Sequence, residues 1–140
     1  MKKVIVNKYG YEKLSYFNPW IYKNEIKKLP ENIADGSLVE IYSENGQFLG
    51  TGYINQKSLI TIRVLTFKKE NIDINFFIKK IKKALKKRKK LEKITDSYRI
   101  IHSEADDIPG LIVDKYKNYL SVQFNTLGIN NFKNEIVEAL

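Results

Sequence analysis

The sequence predicts an α+β fold, in which a small β-barrel precedes a partial strand-strand-helix domain of the α/β sandwich type. Two observations carry this prediction. Up to about residue 68 the chain alternates short β-branched segments with turn residues, which is typical of small all-β domains. At about residue 70 the apolar spacing changes to that of a helix, and strands resume afterwards. We therefore divide the chain into a β-barrel at 1–69, a basic linking helix at 70–94 and a truncated α+β domain at 95–140.

Four strands are predicted in the first part of the chain. They cover residues 2–6, 37–42, 48–54 and 58–67. Asn45 and Gly46 predict a type I′ hairpin turn between the second and third strands, because both residue types tolerate positive φ. Residues 9–16 predict a helical turn that ends before Pro19, since the residue preceding a proline avoids the α region.

Gly50 and Gly52 allow two interpretations. A phosphate-binding loop needs a third glycine, but Asn55 occupies that position. The pair also lies within a predicted strand rather than between a strand and a helix. The pattern therefore favours the alternative, in which glycine allows another backbone of the barrel to approach closely.

A predicted helix after residue 73 concentrates the charge of the protein. Asp73 is its expected N-cap, and the apolar residues that follow at helical spacing form one stripe. The segment 75–91 holds nine basic residues and no acidic one, which equals the whole net charge of +9. Such a concentration favours a polyanion as partner, either nucleic acid or an anionic membrane surface. The alternative is a solvated face of a helix that packs on the core.

The candidate RNA contacts are basic side chains on this helix and on one predicted strand. They are Lys79, Lys80, Lys83, Lys86, Lys87, Lys90 and Arg63. Lysine neutralises phosphates whatever the base, so this set predicts backbone contacts that weaken steeply with salt. Arg63 has an equal alternative, which is an ion pair with Glu40.

The last part of the chain predicts three strands and a helix. The strands cover residues 98–103, 110–114 and 118–125, and the helix begins near Ile129. Glu135 and Glu138 lie towards the C-terminal end of that helix, where negative charge is unfavourable, and no glycine caps it. We expect the natural helix to continue past Leu140.

The only histidine of the chain lies in the segment 102–107, which is rich in carboxylates. If this segment were extended, His102, Glu104 and Asp106 would share one face and could hold a hard metal ion or perform acid–base chemistry. However, Asp-Asp-Ile-Pro-Gly is typical of a turn, and no second histidine is available as a ligand. We predict a turn with surface carboxylates and no metal, and keep a metal-dependent enzyme as an alternative.

The cysteine content and the length of the apolar runs exclude several kinds of site and of protein. It has no cysteine, which excludes disulfides, thiolate metal sites and thiol nucleophiles within these residues. No apolar run approaches the roughly 20 residues that span a bilayer, and the N-terminus lacks the apolar region of a signal peptide. We expect a cytoplasmic protein with no membrane partner. Most aromatic residues, Trp20 above all, are expected in the core, although some could stack on unpaired RNA bases.

Several motifs of the chain occur in the same order in one known family. The longest is Tyr-Arg-Ile-Ile-His-Ser-Glu-Ala-Asp-Asp-Ile-Pro-Gly-Leu-Ile-Val-Asp-Lys-Tyr at 98–116. Others are Asn-Pro-Trp-Ile-Tyr at 18–22, the hairpin at 39–55 and the Asp-x-x-Phe-Phe start of the predicted helix at 73–77. Together they resemble bacterial class I SAM-dependent ribosomal RNA methyltransferases of the cytosine-C5 type.

This sequence departs from the family pattern at four positions. Lys115 replaces the usual arginine, and Asp107 stands where glycine is frequent. Asn18 replaces a histidine, and Phe17 replaces the glycine before it, which puts a tight turn there in doubt.

The resemblance implies a PUA domain that binds RNA, a central domain and a Rossmann-like domain that binds S-adenosylmethionine. This chain would contain the PUA domain and most of the central domain. It would therefore hold no catalytic residue and no cofactor, with S-adenosylmethionine bound elsewhere in the parent protein and ribosomal RNA as the partner. The family's nucleophile is a cysteine, which is absent here. The resemblance places Arg99, His102, Glu104 and Asp106 near a substrate cleft or a domain interface.

Three alternatives to this RNA-binding region of a methyltransferase stay open. The first is a stand-alone PUA-type RNA-binding adaptor without catalysis, and the second is the metal-dependent enzyme. The third is attachment to a membrane surface through residues 75–91, which requires their apolar stripe to face lipid. A truncated central domain would also leave an unpaired sheet edge, which could favour a homodimer.

Overall fold

A computed structural model describes all 140 residues, and it divides into two compact units, Met1–Glu70 and Asn71–Leu140. The first unit is built on a curled six-stranded sheet, and the second on a three-stranded sheet with helices. The predicted α+β class is therefore confirmed.

The first unit has seven principal elements. They are β1 (Lys2–Val6), α1 (Lys8–Ser15), β2 (Trp20–Tyr22), β3 (Ile26–Lys28), β4 (Leu38–Tyr42), β5 (Phe48–Ile54) and β6 (Ile60–Thr66). The sheet order is β2-β6-β5-β4-β1-β3. The pair β1 and β4 is parallel, and the other pairs are antiparallel. The four predicted strands are present. Sequence patterns missed β2 and β3, because three residues are too few to establish an alternation.

The core of the first unit lies on the inner face of this sheet. The strand residues that point inwards are apolar and buried, as shown by Ile21, Ile54 and Ile62, which are opposite one another on β2, β5 and β6 and are 0% exposed. Leu14 closes the core from α1. Each fully buried aliphatic side chain contributes about 1.5–3 kcal/mol, which makes this inner face the main source of stability.

The hairpin between β4 and β5 is present, but its predicted type I′ turn is wrong. Only Gly46 has positive φ (79°), whereas type I′ also requires it at the residue before. The Gly46 N–H donates to the carbonyl of Ser43 at 3.0 Å, so the turn spans four residues and ends in the left-handed glycine. The predicted close approach at the glycine pair of β5 is confirmed, as described below.

Helix α1 ends in a Schellman motif whose left-handed residue is phenylalanine. The Asn18 N–H donates to the Lys13 carbonyl at 3.1 Å, and the Phe17 N–H donates to the Leu14 carbonyl at 2.9 Å. Phe17 has φ of 60°, a conformation in which glycine is usual. The tight turn that the sequence put in doubt is therefore retained. The ring of Phe17 is 71% exposed and makes an edge contact with Phe67.

We expect glycine at position 17 to be better tolerated than alanine, the reverse of the usual order. Both changes remove the ring contact with Phe67, but only glycine also removes the strain of the left-handed backbone, about 1–2 kcal/mol. Urea unfolding should therefore give Phe17→Gly a free energy of unfolding about 1 kcal/mol above that of Phe17→Ala. Equal stability of the two variants would show that the residue is not left-handed in solution.

The second unit has six principal elements. They are α2 (Ile74–Arg88), β7 (Ser97–His102), β8 (Leu111–Tyr116), β9 (Tyr119–Phe124), α3 (Leu127–Asn130) and α4 (Lys133–Ala139). The antiparallel sheet has the order β7-β8-β9, and α2 packs on β7 and on α4. The predicted final helix is two short helices, since the chain turns after Asn130 and the Thr126 hydroxyl caps the first of them.

Candidate nucleic-acid interface

Helix α2 carries the basic residues, and local rules explain how it forms. The Asp73 carboxylate accepts a hydrogen bond from the Phe76 N–H at 3.0 Å, which confirms the predicted N-cap. One face of the helix is buried through Phe76, Phe77, Ile81 and Ala84. The last turn contains Lys86, Lys87 and Arg88, whose positive charge is favourable at a helix C-terminus.

The burial of the apolar face also decides against membrane attachment through this helix. Phe77 is 0% exposed and Ile81 is 4% exposed, so neither side chain is available to lipid. None of the helices has the length and apolar character needed to cross a bilayer.

Two of the predicted RNA contacts are already paired with carboxylates. Lys83 forms an ion pair with Asp107 at 2.7 Å. Lys87 donates to the Asp106 carboxylate at 3.1 Å and to the Ala105 carbonyl at 3.0 Å. Both lysines therefore hold the flank of the helix against the turn that follows β7.

The remaining lysines of α2 and of the turn after it divide into two groups. Lys79 and Lys80 lie in the first half of the helix, and the ammonium of Lys80 lies 5.1 Å from the ring centre of Phe76. Lys82, Lys86, Lys89 and Lys90 are exposed and form no ion pair or hydrogen bond through their side chains. Lys82 and Lys86 are four residues apart and share one face of α2, and Lys89 and Lys90 follow in the turn after Arg88. The sequence prediction missed Lys82 and Lys89, although this spacing was visible.

Asp106 is the centre of a buried charge cluster. Arg88 makes a two-pronged contact with it, Nη1 to Oδ1 at 3.0 Å and Nη2 to Oδ2 at 2.6 Å. The His102 N–H donates to Oδ2 at 2.8 Å, and Lys87 completes the set. The Arg88 Nε also donates to the Arg99 carbonyl at 2.6 Å. Sequence patterns gave no indication that Arg88 differs from its lysine neighbours.

The surroundings of Asp106 fix its charge. Burial raises the pKa of this carboxyl, but the hydrogen bonds from Arg88, the His102 N–H and Lys87 outweigh burial and lower the pKa to about 2. The side chain is 2% exposed. Asp106 is therefore an ionised anchor between α2 and the turn after β7, and both of its oxygens are occupied by protein donors.

The predicted turn after β7 is present, and it excludes the extended conformation on which the metal hypothesis rested. The prediction that the carboxylates of this turn lie at the surface is wrong for Asp106, which is 3% exposed. Residues Ser103–Asp106 form a 3-10 helix, and Asp107 is left-handed with φ of 60°. Ser103 is also left-handed, and its hydroxyl accepts from the Gly110 N–H at 2.7 Å. No group of three His, Asp or Glu side chains is arranged to hold a metal ion.

The other residues predicted near a substrate cleft lie on β7 and just after it. Arg99 forms a two-pronged ion pair with Asp114 on β8, at 2.7 and 3.0 Å, and this hydrogen bond lowers the pKa of the Asp114 carboxyl. His102 is exposed at the end of β7, and Glu104 accepts from the Ser103 hydroxyl. A substrate role for Arg99, His102 and Glu104 stays a prediction.

Arg63 and the aromatic residues belong to the first unit. Arg63 is half-buried on β6 opposite Trp20, and its Nη1 donates to the Ile60 carbonyl at 3.2 Å. The prediction of a core position for Trp20 is wrong, since 36% of the residue is exposed. Tyr9 and Tyr16 are exposed too, because both lie on the outer face of α1 or its end. These rings are accessible to a ligand.

The glycines of β5 do not form a cradle for a nucleotide cofactor. A Cβ on Gly52 would lie 2.3 Å from the Arg63 carbonyl oxygen, and one on Gly50 would lie 2.8 Å from that of Thr66. The space beside both glycines is filled by β6. The glycines of β5 therefore do not supply the glycine-rich loop between a strand and a helix that an S-adenosylmethionine site needs.

Gly52→Ala should consequently impair folding of the first unit. The added methyl group meets backbone rather than a movable side chain. We therefore expect the free energy of unfolding to fall by about 2–3 kcal/mol or more, which is the upper end of the range for overpacked sites. Thermal unfolding measures the effect. Gly46→Ala is the matched control, because its Cβ meets nothing within 4 Å and only its positive φ resists the change. If Gly52→Ala lost no more stability than Gly46→Ala, the close approach of β6 to Gly52 would be contradicted.

The fold and its surface define a class of protein: a domain built on a curled six-stranded sheet, followed by a small α+β unit with a basic helix. Residues 4–67 match the family described as a PUA-like domain. At 36% identity, 99% of the chain aligns with a proposed ribosomal RNA large subunit methyltransferase of Methanocaldococcus jannaschii. At 38% identity, 88% of it aligns with ribosomal RNA large subunit methyltransferase I of Photobacterium profundum. The chain spans 35% and 32% of the lengths of these relatives.

Solved structures extend the similarity to both units. A proposed SAM-dependent methyltransferase from Streptococcus mutans superposes on 99% of the chain with a TM-score of 0.87 at 26% identity. A structure of SMU.776, also described as a proposed methyltransferase and complexed with SAH, gives a TM-score of 0.85 at 25% identity. The chain covers 37% and 36% of these two proteins.

Proposed function

We propose that this chain is the RNA-binding region of a SAM-dependent methyltransferase that modifies cytosine C5 in large-subunit ribosomal RNA. In this role the PUA-like domain and the second unit bind the RNA and position it for a catalytic domain that lies outside these 140 residues. S-adenosylmethionine would bind to that domain, and the cytoplasm is the compartment we propose.

The observation that carries this proposal is the group of exposed lysines on α2 and on the turn that follows it. Lys82, Lys86, Lys89 and Lys90 present four ammonium groups with no carboxylate partner, while the opposite face of the helix is buried. A helix that needed only to be soluble would not require such an excess of one charge, since mixed charges serve that purpose with less repulsion. Phosphates are the ligands that such a row fits.

The names of similar proteins support the same proposal independently of the lysines. Two of them carry the name of ribosomal RNA large subunit methyltransferases, and one structural neighbour was crystallised with SAH. Methyl transfer to C5 requires a nucleophile such as a cysteine thiolate, and the proposal assigns this group to the catalytic domain. The choice of cytosine C5 rests on the motif at 98–116 alone. A homodimer has no support in the structure or the comparisons.

Binding across a salt series tests the proposal. A structured fragment of large-subunit ribosomal RNA should bind at about 50 mM salt and lose at least tenfold in affinity by about 200 mM, since each neutralised phosphate releases counterions. Fluorescence anisotropy with labelled RNA gives the dissociation constant at both salt concentrations. Absence of binding at the lower salt concentration would refute an RNA-binding role for this chain.

The adaptor hypothesis predicts the same binding curve and needs a separate test. Expression of the parent reading frame followed by a methylation assay on undermodified ribosomal RNA distinguishes the two. Incorporation of a labelled methyl group at a cytosine supports the methyltransferase, whereas RNA binding without incorporation favours the adaptor.

A further inference from the structure

The first unit contains an open cavity, and none of its lining residues belongs to the basic helix α2. It has a volume of about 610 Å³, within the range of sites that hold a small molecule of nucleotide size. Its walls are the 3-10 turn after β2 and the turn between β5 and β6. The lining residues are Tyr22, Lys23, Asn24, Glu25, Gln56, Lys57, Ser58 and Leu59.

Hydrogen bonds hold both walls of this cavity in place. On one side the Asn7 amide donates to the Asn24 carbonyl at 2.9 Å. On the other side the Gln56 N–H donates to Asp35 at 2.8 Å, and the Gln56 amide donates to the Ile33 carbonyl at 3.2 Å. The cavity is therefore preformed, which lowers the cost of ordering it around a ligand.

The charges that line the cavity favour an anion. Glu25 is its only carboxylate, and both of its oxygens accept bonds from Lys13 at 2.9 and 3.0 Å, with the Tyr22 N–H at 2.8 Å as a further donor. Lys23 and Lys57 are exposed, one on each wall, and their ammonium groups have no partner. Two unpaired positive charges thus remain beside a neutralised carboxylate.

The apolar part of the lining is suited to a base. Leu59 is 86% exposed on the wall formed by the β5–β6 turn, so its side chain is available to a flat ring. Tyr22 is half-buried in the opposite wall, with the Lys13 ammonium 4.3 Å from its ring centre. Aromatic side chains beside basic groups that bind phosphate commonly hold an unpaired base, and here Leu59 adds an apolar contact surface.

We propose that this cavity binds a single nucleotide unit, with Lys23 and Lys57 on its phosphate and Leu59 and Tyr22 beside its base. The proposal rests on the proposed RNA-binding function when that unit belongs to an RNA chain. A free mononucleotide has the same chemistry, so the experiment separates the two sources.

Two variants test the cavity without disturbing the core. Lys23→Ala/Lys57→Ala removes the two unpaired charges, and Leu59→Ser removes an exposed apolar side chain. The matched control is Lys8→Ala/Lys28→Ala, which removes two exposed lysines outside the cavity lining. The probes are uridine 5′-monophosphate and an unstructured oligouridine, each followed by anisotropy or calorimetry. Circular dichroism checks that every variant is folded.

We expect the oligouridine to bind the Lys23/Lys57 variant about tenfold more weakly and the control variant less than about twofold more weakly, because two phosphate contacts are lost in only one of them. Photocrosslinking with 5-bromouridine should label the Leu59 or Tyr22 peptide, and Leu59→Ser should reduce this labelling. Binding of the monophosphate alone, with the same lysine dependence, would assign the cavity to free nucleotides.

Equal losses in the Lys23/Lys57 variant and in the control would overturn the cavity as a site, as would crosslinks confined to the second unit. Failure of the proposed function would give a different result. If the proposed function were wrong, the ribosomal RNA fragment would not bind the unmodified protein, whatever the behaviour of the cavity variants.

Discussion

Replacing Asp106 by alanine is expected to lower the free energy of unfolding of the second unit by about 3–5 kcal/mol, the range for removing one partner of a buried ion pair. The carboxylate is the only acidic partner of Arg88 and Lys87 given by the structure, and it also accepts the His102 N–H. Alanine leaves a guanidinium that is 16% exposed without its counter-charge. Chemical denaturation measures the change.

Asp107→Asn is the control for this prediction, since it removes the neighbouring charge and keeps a residue type that tolerates the left-handed backbone at this position. Asp107 pairs with Lys83, but their side chains are 46% and 62% exposed. Exposed pairs contribute about 0–1 kcal/mol, so the control should remain near the stability of the unmodified protein. Similar losses in the two variants would show that the Asp106 cluster is open to solvent.

The same cluster predicts a dependence of stability on pH. The pKa of Asp106 is lowered from its ordinary 3.8 to about 2 in the folded protein. A lowered pKa means that the contribution of this group is fully present above pH 3.8 and is lost as the pH falls towards 2. Acid unfolding followed by circular dichroism should therefore show a component in this interval that Asp106→Ala lacks. An identical acid transition in both proteins would contradict the assigned pKa.

A fourfold variant of the unpaired lysines of α2 and of the turn after it should lose most of the affinity for RNA. Replacing Lys82, Lys86, Lys89 and Lys90 by alanine removes up to four phosphate contacts. The slope of log affinity against log salt should become shallower by about 3–4, and affinity near 50 mM salt should fall by about 100-fold or more. Folding should be preserved, because these side chains are exposed and have no partner.

The control for this variant changes the same number of charges elsewhere. Lys8, Lys28, Lys117 and Lys133 are exposed and lie outside α2. If affinity depended only on net charge, their replacement would weaken binding as much as the α2 variant does. We expect a change of less than about fivefold for this control, since scattered lysines do not form a continuous row. Lys83 and Lys87 are left unchanged, because their ion pairs with Asp107 and Asp106 would confound the measurement.

Local rules were sufficient for most elements of this chain. The hairpin signal at Asn45-Gly46 placed a strand at 48–54, which are the observed bounds of β5, and Asp73 predicted the start of α2. Both depend on neighbouring residues only, through turn residues and a cap that accepts a hydrogen bond three residues on. The same rules failed for β2 and β3, whose three residues each are held by pairing with distant strands.

The candidate interface was predictable in composition but not in detail. The excess of lysine on one helix is visible in the sequence, and so is its apolar stripe. Which lysines are available is not visible, because Lys83 and Lys87 face a turn that lies some 20 residues further along the chain. Sequence spacing around a helix gives the face of each residue, but not what packs beside that face.

The sequence by itself determined the α+β class, the charge of α2, its cap, and the presence of a turn at Asp-Asp-Ile-Pro-Gly, residues 106–110. These follow from composition and from contacts within a few residues. Only the tertiary structure decided that Asp106 is a buried anchor for Arg88 and that Trp20 is partly exposed. The physical reason is that burial and the pKa of a carboxyl depend on groups brought together by the fold, whose separation along the chain carries no local pattern.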